Sequence, residues 1–265
     1  MEEKKKGGKR AAPNRRGWLL AVLVLAGLGI WGILEWRAHT APGPGISVNE
    51  EALTRREPFY QYDAPGVTAR AGVDVSSYQG VVDWPTVKAA GADFAMLRVG
   101  FRGYGTGALV EDNAFAQNAA DAANAGLTVG VYFYSQAVTE EEAAEEARFV
   151  VERLRGTNVS GPIAYDLEFY TADEARTDDL TGEQATQNAI AFCDVIRQAG
   201  YEPVVYMNLH WAGSMYGMEH LPVWLASYGP VPALDRGVTL WQYSESGVVD
   251  GIEGPVDLDL WFTKE

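Results

Sequence analysis

Between residues 73 and 207 the chain alternates short β-branched runs with amphipathic stretches opened by helix caps, and this rhythm restricts the fold more than any other feature. Val73-Asp74-Val75, Phe94–Val99, Leu127–Tyr134, Ile163–Leu167 and Val204–Met207 predict strands. Asp83 caps an intervening helix that has Pro85 in its first turn and Gly91 at its end. An Ala-rich stretch from about Asp112 to Gly126 predicts a second helix. Thr139-Glu140-Glu141-Glu142 and Thr181-Gly182-Glu183-Gln184 read as capping boxes, opening helices that run to about Arg155 and to Gly200. Beyond residue 207 the helical signal fades, and Val223–Ala226, Val238–Trp241 and Val256–Leu260 predict three more strands on short connections. Five βα units followed by three strands favour an irregular, TIM-like (β/α)5(β)3 barrel over an open sheet. In such a barrel the chemistry sits at the C-terminal ends of the strands.

Ahead of this domain the charge is lopsided. The 265 residues carry a formal net charge of −15, yet residues 1–37 hold eight Lys or Arg against three Glu. Trp18–Leu34 is an apolar run of 17 residues. As a helix it measures roughly 25 Å, near the lower limit for crossing a bilayer. Trp18, Trp31 and Trp36 lie towards its ends, where indole rings favour the interface. The basic flank keeps the N-terminus in the cytoplasm and sends the acidic bulk out. A cleaved secretory signal is the competing reading, but the run exceeds a usual signal core of roughly 7–15 residues. Cleavage candidates around Ala38–Ala41 are also crowded by Pro42 and Pro44. The expected organisation is a basic cytoplasmic segment (1–17), a single transmembrane signal anchor (18–36), an extracytoplasmic linker (37–70) and a barrel domain (71–265). The linker reading rests on Ala41-Pro42-Gly43-Pro44-Gly45 and the charged stretch Asn49–Glu57. Its tail, Pro58-Phe59-Tyr60-Gln61-Tyr62, is aromatic enough to pack onto the domain that follows.

Several function classes drop out. One cysteine, Cys193, excludes an intramolecular disulfide and a Cys-cluster zinc site, and three histidines leave little for a His-rich metal centre. The acidic balance argues against nucleic acid, which needs clustered Lys and Arg. The Gly-rich loop Arg102–Gly107 lacks the Gly-Lys-Ser/Thr ending of a phosphate loop and reads as a flexible loop beside the cleft. No Gly-x-Ser-x-Gly elbow is present. Neither a metal nor a cofactor is expected. Cys193 reads as a buried small hydrophobe, and the Glu140–Glu146 cluster as the solvated face of a helix.

The strand ends carry carboxylates. Asp74 lies in the first strand, Asp166 and Glu168 close the fourth, and Asp257 lies in the last. Alternation puts Asp166 and Glu168 on one face, with Cα atoms about 6–7 Å apart. Two carboxyls at that range resist both being ionised, so one can hold its proton near neutrality, as a general acid for a glycosidic oxygen must. An isolated Asp-x-Glu is usually only a solvated strand end.

This one is not isolated. The stretch from about Gly72 to Phe262 resembles glycoside hydrolase family 25, the Chalaropsis-type lysozymes. The matching motifs run in family order: Gly72–Gly80, Asp83-Trp84, Arg98-Val99-Gly100, Gly130–Ser135, Asp166-Leu167-Glu168, Trp224–Tyr228, Trp241–Ser244 and Gly254–Leu258. The resemblance implies hydrolysis of the β-1,4 bond between N-acetylmuramic acid and N-acetylglucosamine in peptidoglycan. It makes Glu168 the general acid/base and Asp166 the group that orients the substrate acetamido, whose carbonyl oxygen attacks the anomeric carbon. A carboxylate nucleophile or an inverting water stays open. Asp74 and Asp257 flank the cleft. Tyr132, Tyr134, Tyr78, Trp224 and Gln242 are its expected substrate contacts, with Tyr228 and Trp241 as weaker candidates. The pattern departs from the family at Asp259, where Asn is common, and alternation faces this residue the same way as Asp257. The expected partners are peptidoglycan strands and, through the N-terminal helix, a bacterial cell membrane, the chain acting as a monomer. A non-catalytic wall-binding scaffold and a hydrolase of another N-acetylated glycan such as chitin are the alternatives.

Overall fold

The computed structural model describes residues 45–265 apart from 169–172, 230, 233 and 235. The basic segment 1–17 and the expected transmembrane helix 18–36 lie outside the described residues. Among the described residues, no helix is long and apolar enough to cross a membrane.

Eight strands close a barrel: β3 (Val67–Val75), β4 (Phe94–Arg102), β6 (Thr128–Ser135), β7 (Ile163–Leu167), β8 (Pro203–Asn208), β9 (Val223–Ala226), β10 (Leu240–Gly247) and β11 (Val256–Lys264). The run from β3 through β10 is parallel. Strand β11 is antiparallel to both of its neighbours and completes the closure between β10 and β3. A short strand, β5 (Leu109–Glu111), hangs antiparallel on β4. The helices are α1 (Trp84–Ala89), α2 (Phe115–Asn124), α3 (Glu140–Arg153), α4 (Gly182–Gln198) and the single turn α5 (Leu209–Ala212).

Their starts follow from caps. Asp83, Thr139 and Thr181 each accept the backbone N–H three residues on. Neither expected capping box closes on itself. Glu142 Oε2 accepts from the Val138 N–H instead, and the Gln184 amide donates to Asn188. Helix α2 starts later than expected, at Phe115: Asp112 Oδ2 is held by Arg98 and the Ser77 N–H while its Oδ1 accepts the Ala114 N–H, and Ala114 is a cap without a side-chain bond.

Two cores result from strand alternation. Outward residues such as Val73, Leu97, Val131, Phe133, Tyr165 and Met207 pack beneath the helices. Inward residues fill the lower barrel: Phe94, Met96, Ala164, Val204, Leu240 and Trp261. The barrel narrows enough there that a Cβ on Gly72 would come within 2.6 Å of the Phe94 ring.

No long helix covers the outer faces of β10 and β11, and the segment expected as a spacer does that job. Strands β1 (Leu53–Arg56) and β2 (Phe59–Tyr62) form a hairpin. Phe59 is buried, the Tyr60 ring stacks on Trp241 with centroids 6.4 Å apart, and Tyr62 meets Phe262 edge-on. Ile46 bridges to Val238 through paired backbone bonds of 2.9 and 2.8 Å. The stretch 45–70 is thus folded onto the barrel, and its aromatic tail packs as its composition suggests.

Two other expectations fail. The Arg102–Gly107 loop is tied down and does not line the cleft: buried Arg102 donates to the Gly107 carbonyl and pairs with Glu146 at 2.7 Å. Glu146 is consequently no solvated residue. It is fully buried and also accepts from Ser135 Oγ at 2.7 Å.

If the hairpin covers the barrel rather than decorating it, Phe59→Ala removes a buried aromatic from that cover. The expected loss is about 3 kcal/mol of unfolding free energy, measured by urea denaturation. An unchanged midpoint would show that the hairpin contributes nothing to the core.

Candidate active site

The upper barrel is built from inward-facing residues towards the C-terminal ends of the parallel strands and, because β11 runs the other way, at the N-terminal end of β11. Asp74 on β3 lies opposite Asp257 on β11, and Gln242 on β10 opposite Asp259. Asp166 is inward on β7, Leu167 turns outward, and Glu168 follows at the strand's end. A cleft of about 410 Å³ opens over them. All of the residues expected from the sequence reach it: Asp74, Asp166, Glu168, Asp257, Tyr78, Tyr132, Tyr134, Trp224 and Gln242.

Their roles within it differ. Trp224 is only 1 % exposed and forms the floor, edge-on to Tyr206 and Tyr132, so it offers no open stacking face. Tyr78 stands at the rim, 85 % exposed, with the Arg98 guanidinium 4.9 Å from its ring centroid. Gln242 is buried and spoken for: its amide donates to Asp74 while its oxygen accepts from Tyr206 and Tyr228 at 3.0 and 2.6 Å. Of the weaker aromatic candidates, Tyr228 lines the cleft. Trp241 points out beneath the hairpin, its indole N–H on the Ser227 carbonyl.

Sequence reasoning missed the supporting groups. Arg98 is the only cation among the described residues lining the cleft. It is held by Asp112 at 2.7 Å and donates to Ser77 Oγ. The Arg-Val-Gly motif carried Arg98, but nothing local marked Asp112 as its partner. Tyr206 and Glu245 also line the site. Tyr206 was hidden inside an apolar strand.

Burial governs the electrostatics. It pushes Asp74 well above the usual carboxylate range, with Asp257 and Asp259 adding to the rise and the Gln242 amide opposing it. Burial likewise raises Asp166, helped by Glu168 and opposed by Arg98. Glu168 is raised by burial against a hydrogen bond from Tyr206. Asp257, also desolvated, is pushed up to about 6 and is hydrogen-bonded to Asp74, so a proton is shared between two carboxyls. Asp259 is fully buried and accepts the Trp224 indole N–H at 2.8 Å. Its second oxygen has no hydrogen-bond partner, and burial raises it well above normal. As alternation suggested, it shares the inward face with Asp257, but beneath the cleft, which it does not line. Among the described residues, no group of His, Cys, Asp and Glu could hold a metal ion.

A barrel with acids clustered at the C-terminal strand ends has the arrangement that carboxylate-based glycoside hydrolysis requires. The profile of Glycosyl hydrolases family 25 matches residues 73–252, and the chain belongs to that family. It is 29 % identical to the autolytic lysozyme of Clostridium acetobutylicum over 71 % of this chain and 54 % of that protein. It is also 29 % identical to lysozyme M1 of Streptomyces globisporus, over 92 % of this chain and 91 % of the relative. The crystal structure of the lysozyme from Streptomyces coelicolor is similar in fold, with a TM-score of 0.59 at 26 % identity. That likeness covers 72 % of this chain and 91 % of the other. The chain spans about half the length of the clostridial relative.

Asp259 lends itself to a stability test. An acid raised in the fold binds more protons folded than unfolded, so stability is fullest below the unfolded pKa and falls as pH rises towards the folded one. Asp259→Asn keeps an acceptor for Trp224 and removes this titration. Above the unfolded carboxylate pKa the decline of unfolding free energy with pH should lessen, by at most about 1.4 kcal/mol per pH unit, read from urea denaturation. An unaltered slope would mean that Asp259 is ionised in the fold.

Proposed function

We propose that this chain is a peptidoglycan muramidase that cleaves the β-1,4 bond between N-acetylmuramic acid and N-acetylglucosamine. The observation that carries the reading is the Asp166–Glu168 pair in the cleft of a family 25 barrel, with Asp74 and Asp257 across from it. The lysozyme relatives support the substrate class.

In the proposed reaction Glu168, protonated, gives its proton to the leaving glycosidic oxygen as the bond to the anomeric carbon breaks. The substrate's own acetamido oxygen attacks that carbon, forming a bicyclic oxazolinium. Asp166 orients the acetamido and balances its growing positive charge. Glu168, now a carboxylate, takes a proton from the incoming water as water opens the ring, and configuration is retained. This avoids a protein nucleophile, a recognised departure from the two-carboxylate scheme. Asp74 and Asp257, sharing a proton, hold sugar hydroxyls without adding two full charges beside Glu168. A covalent sugar adduct on Asp74, Asp166 or Asp257 would refute the substrate-assisted route.

The same reading extends to location. The basic segment 1–17 and the apolar run 18–34 support a single-pass anchor over 18–36 with its N-terminus in the cytoplasm and the barrel facing the wall. A tethered muramidase suits remodelling of the producing cell's own wall.

Two experiments check these assignments. Purified chain is incubated with peptidoglycan, new reducing ends are fixed with borohydride, and the reduced sugar is identified by mass spectrometry. Wild type should yield reduced muramic acid, and Glu168→Gln should lose about 100-fold or more of the rate. Reduced glucosamine would reassign the bond, and wall binding without new ends would indicate a scaffold. In cell fractionation the full chain should sediment with membranes while a chain starting at Ala38 stays in the soluble fraction.

A further inference from the structure

The donors around Glu168 do not divide evenly among their acceptors. Tyr206, 5 % exposed at the end of β8, has one hydroxyl proton. That hydroxyl lies 3.0 Å from Gln242 Oε1, and it is also the hydrogen-bond partner of Glu168. Gln242 Oε1 has a second donor, the Tyr228 hydroxyl at 2.6 Å. The Tyr228 oxygen is a third partner of Tyr206, so one proton faces three acceptors, and Gln242 Oε1 among them has a donor in reserve.

The arrangement suits a buried acid that must exist in both protonation states. While Glu168 is a carboxylic acid it can donate to Tyr206 Oη, and Tyr206 can donate to Gln242. Once Glu168 is a carboxylate it can only accept, and a charge-assisted bond outweighs a neutral one about two-fold. Tyr206 can then turn to Glu168 without stranding Gln242, whose oxygen keeps Tyr228. Throughout, Gln242 continues to donate to Asp74.

We propose that Tyr206 is a positioning residue whose hydroxyl proton turns from Gln242 to Glu168 each time Glu168 gives up its own, while Tyr228 keeps Gln242 satisfied. The inference rests on Glu168 being the acid/base. It deepens that assignment by naming what lets one carboxyl serve as acid and then as base. Other charged or titratable groups face Glu168 from every side of the cleft. They are Asp166 on its own strand, Asp74 on β3, Arg98 on β4, Tyr132 and Tyr134 on β6, Glu245 on β10 and Asp257 on β11. These set its field, whereas Tyr206 holds its oxygen by a hydrogen bond.

The test is the pH dependence of kcat/KM on peptidoglycan for wild type, Tyr206→Phe, Tyr228→Phe and the double variant. The alkaline limb reports loss of the proton from Glu168. Removing a donor that favours the carboxylate should move this limb to higher pH, by about 1 unit for Tyr206→Phe. Tyr228→Phe leaves Gln242 competing for the Tyr206 proton and should move it the same way by less. The double variant should match Tyr206→Phe alone, because both changes act through one proton. A limb that fails to rise in either single variant overturns the proposal, as do single shifts that add in the double. Should Tyr206→Phe not fold, the limb of Tyr228→Phe, altered at a half-exposed residue, decides alone. Glu168→Gln assayed in parallel separates the two levels: if it keeps wild-type activity, the acid/base assignment itself is wrong.

Discussion

Desolvation of the carboxyls at the top of the barrel is the constraint around which the rest of the structure is arranged. Alternation along closed strands delivers Asp74, Asp166, Asp257 and Asp259 to one interior, with Glu168 at its edge. Among the described residues only Arg98 offers a compensating charge from the cleft wall, and it is already bound to Asp112. One engaged cation cannot neutralise five acids, so protons must. That explains why burial leads the causes for each of the five and why all five are raised together. The uncharged donors are placed accordingly. The Trp224 indole meets Asp259, the Gln242 amide meets Asp74, and the Tyr206 hydroxyl meets Glu168. Each satisfies an oxygen without bringing in a charge that would itself need solvation.

The lower barrel makes this arrangement affordable. Phe94, Met96, Leu240 and Trp261 fill the interior beneath the acids and keep water from reaching them from below. On the outside, helices α1 to α4 shield the strands up to β8, whereas β10 and β11 depend on the hairpin. Without Phe59, Tyr60 and Tyr62, the outward faces of Trp241, Tyr243 and Phe262 would meet solvent. These same two strands carry Gln242, Asp257 and Asp259 on their inner faces. The N-terminal segment therefore fixes, from behind, half of the acids' surroundings.

Much of this was legible in the sequence, and the pattern of success has a physical reason. Strands β7 and β9 and helix α4 fall where apolar runs and the Thr181 cap put them, because burial and capping act locally. Strand parity also predicted that Asp166 and Glu168 would share a face, and Asp257 and Asp259 likewise. What escaped depends on contacts distant in the chain. Glu146 sits in a run of glutamates that reads as solvated, and only its meeting with Arg102, 44 residues away, buries it. The Glu57-Pro58 turn and charged flanks of the hairpin look like a spacer until Trp241 is there to stack on Tyr60. Trp224 reads as an open sugar platform, and only barrel closure turns it into a floor.

The raised neighbours bear on Glu168 in a direction opposite to first appearance. Each additional ionised carboxylate about 7 Å away would disfavour a negative Glu168 by roughly 2 kcal/mol at an effective dielectric near 20. Several such neighbours would lock its proton on and leave it an acid that could never act as a base. Burial raises Asp259 and Asp74 well above the usual carboxylate range, and Asp257 is hydrogen-bonded to Asp74, so the shifts run in the direction that lessens that charge. Asp166 is raised by burial as well, with Arg98 opposing the rise. The cluster thus suppresses its own field by holding protons. Glu168 is raised by burial, the direction a proton donor needs, while the Tyr206 hydrogen bond favours the carboxylate it becomes once the leaving oxygen has taken its proton.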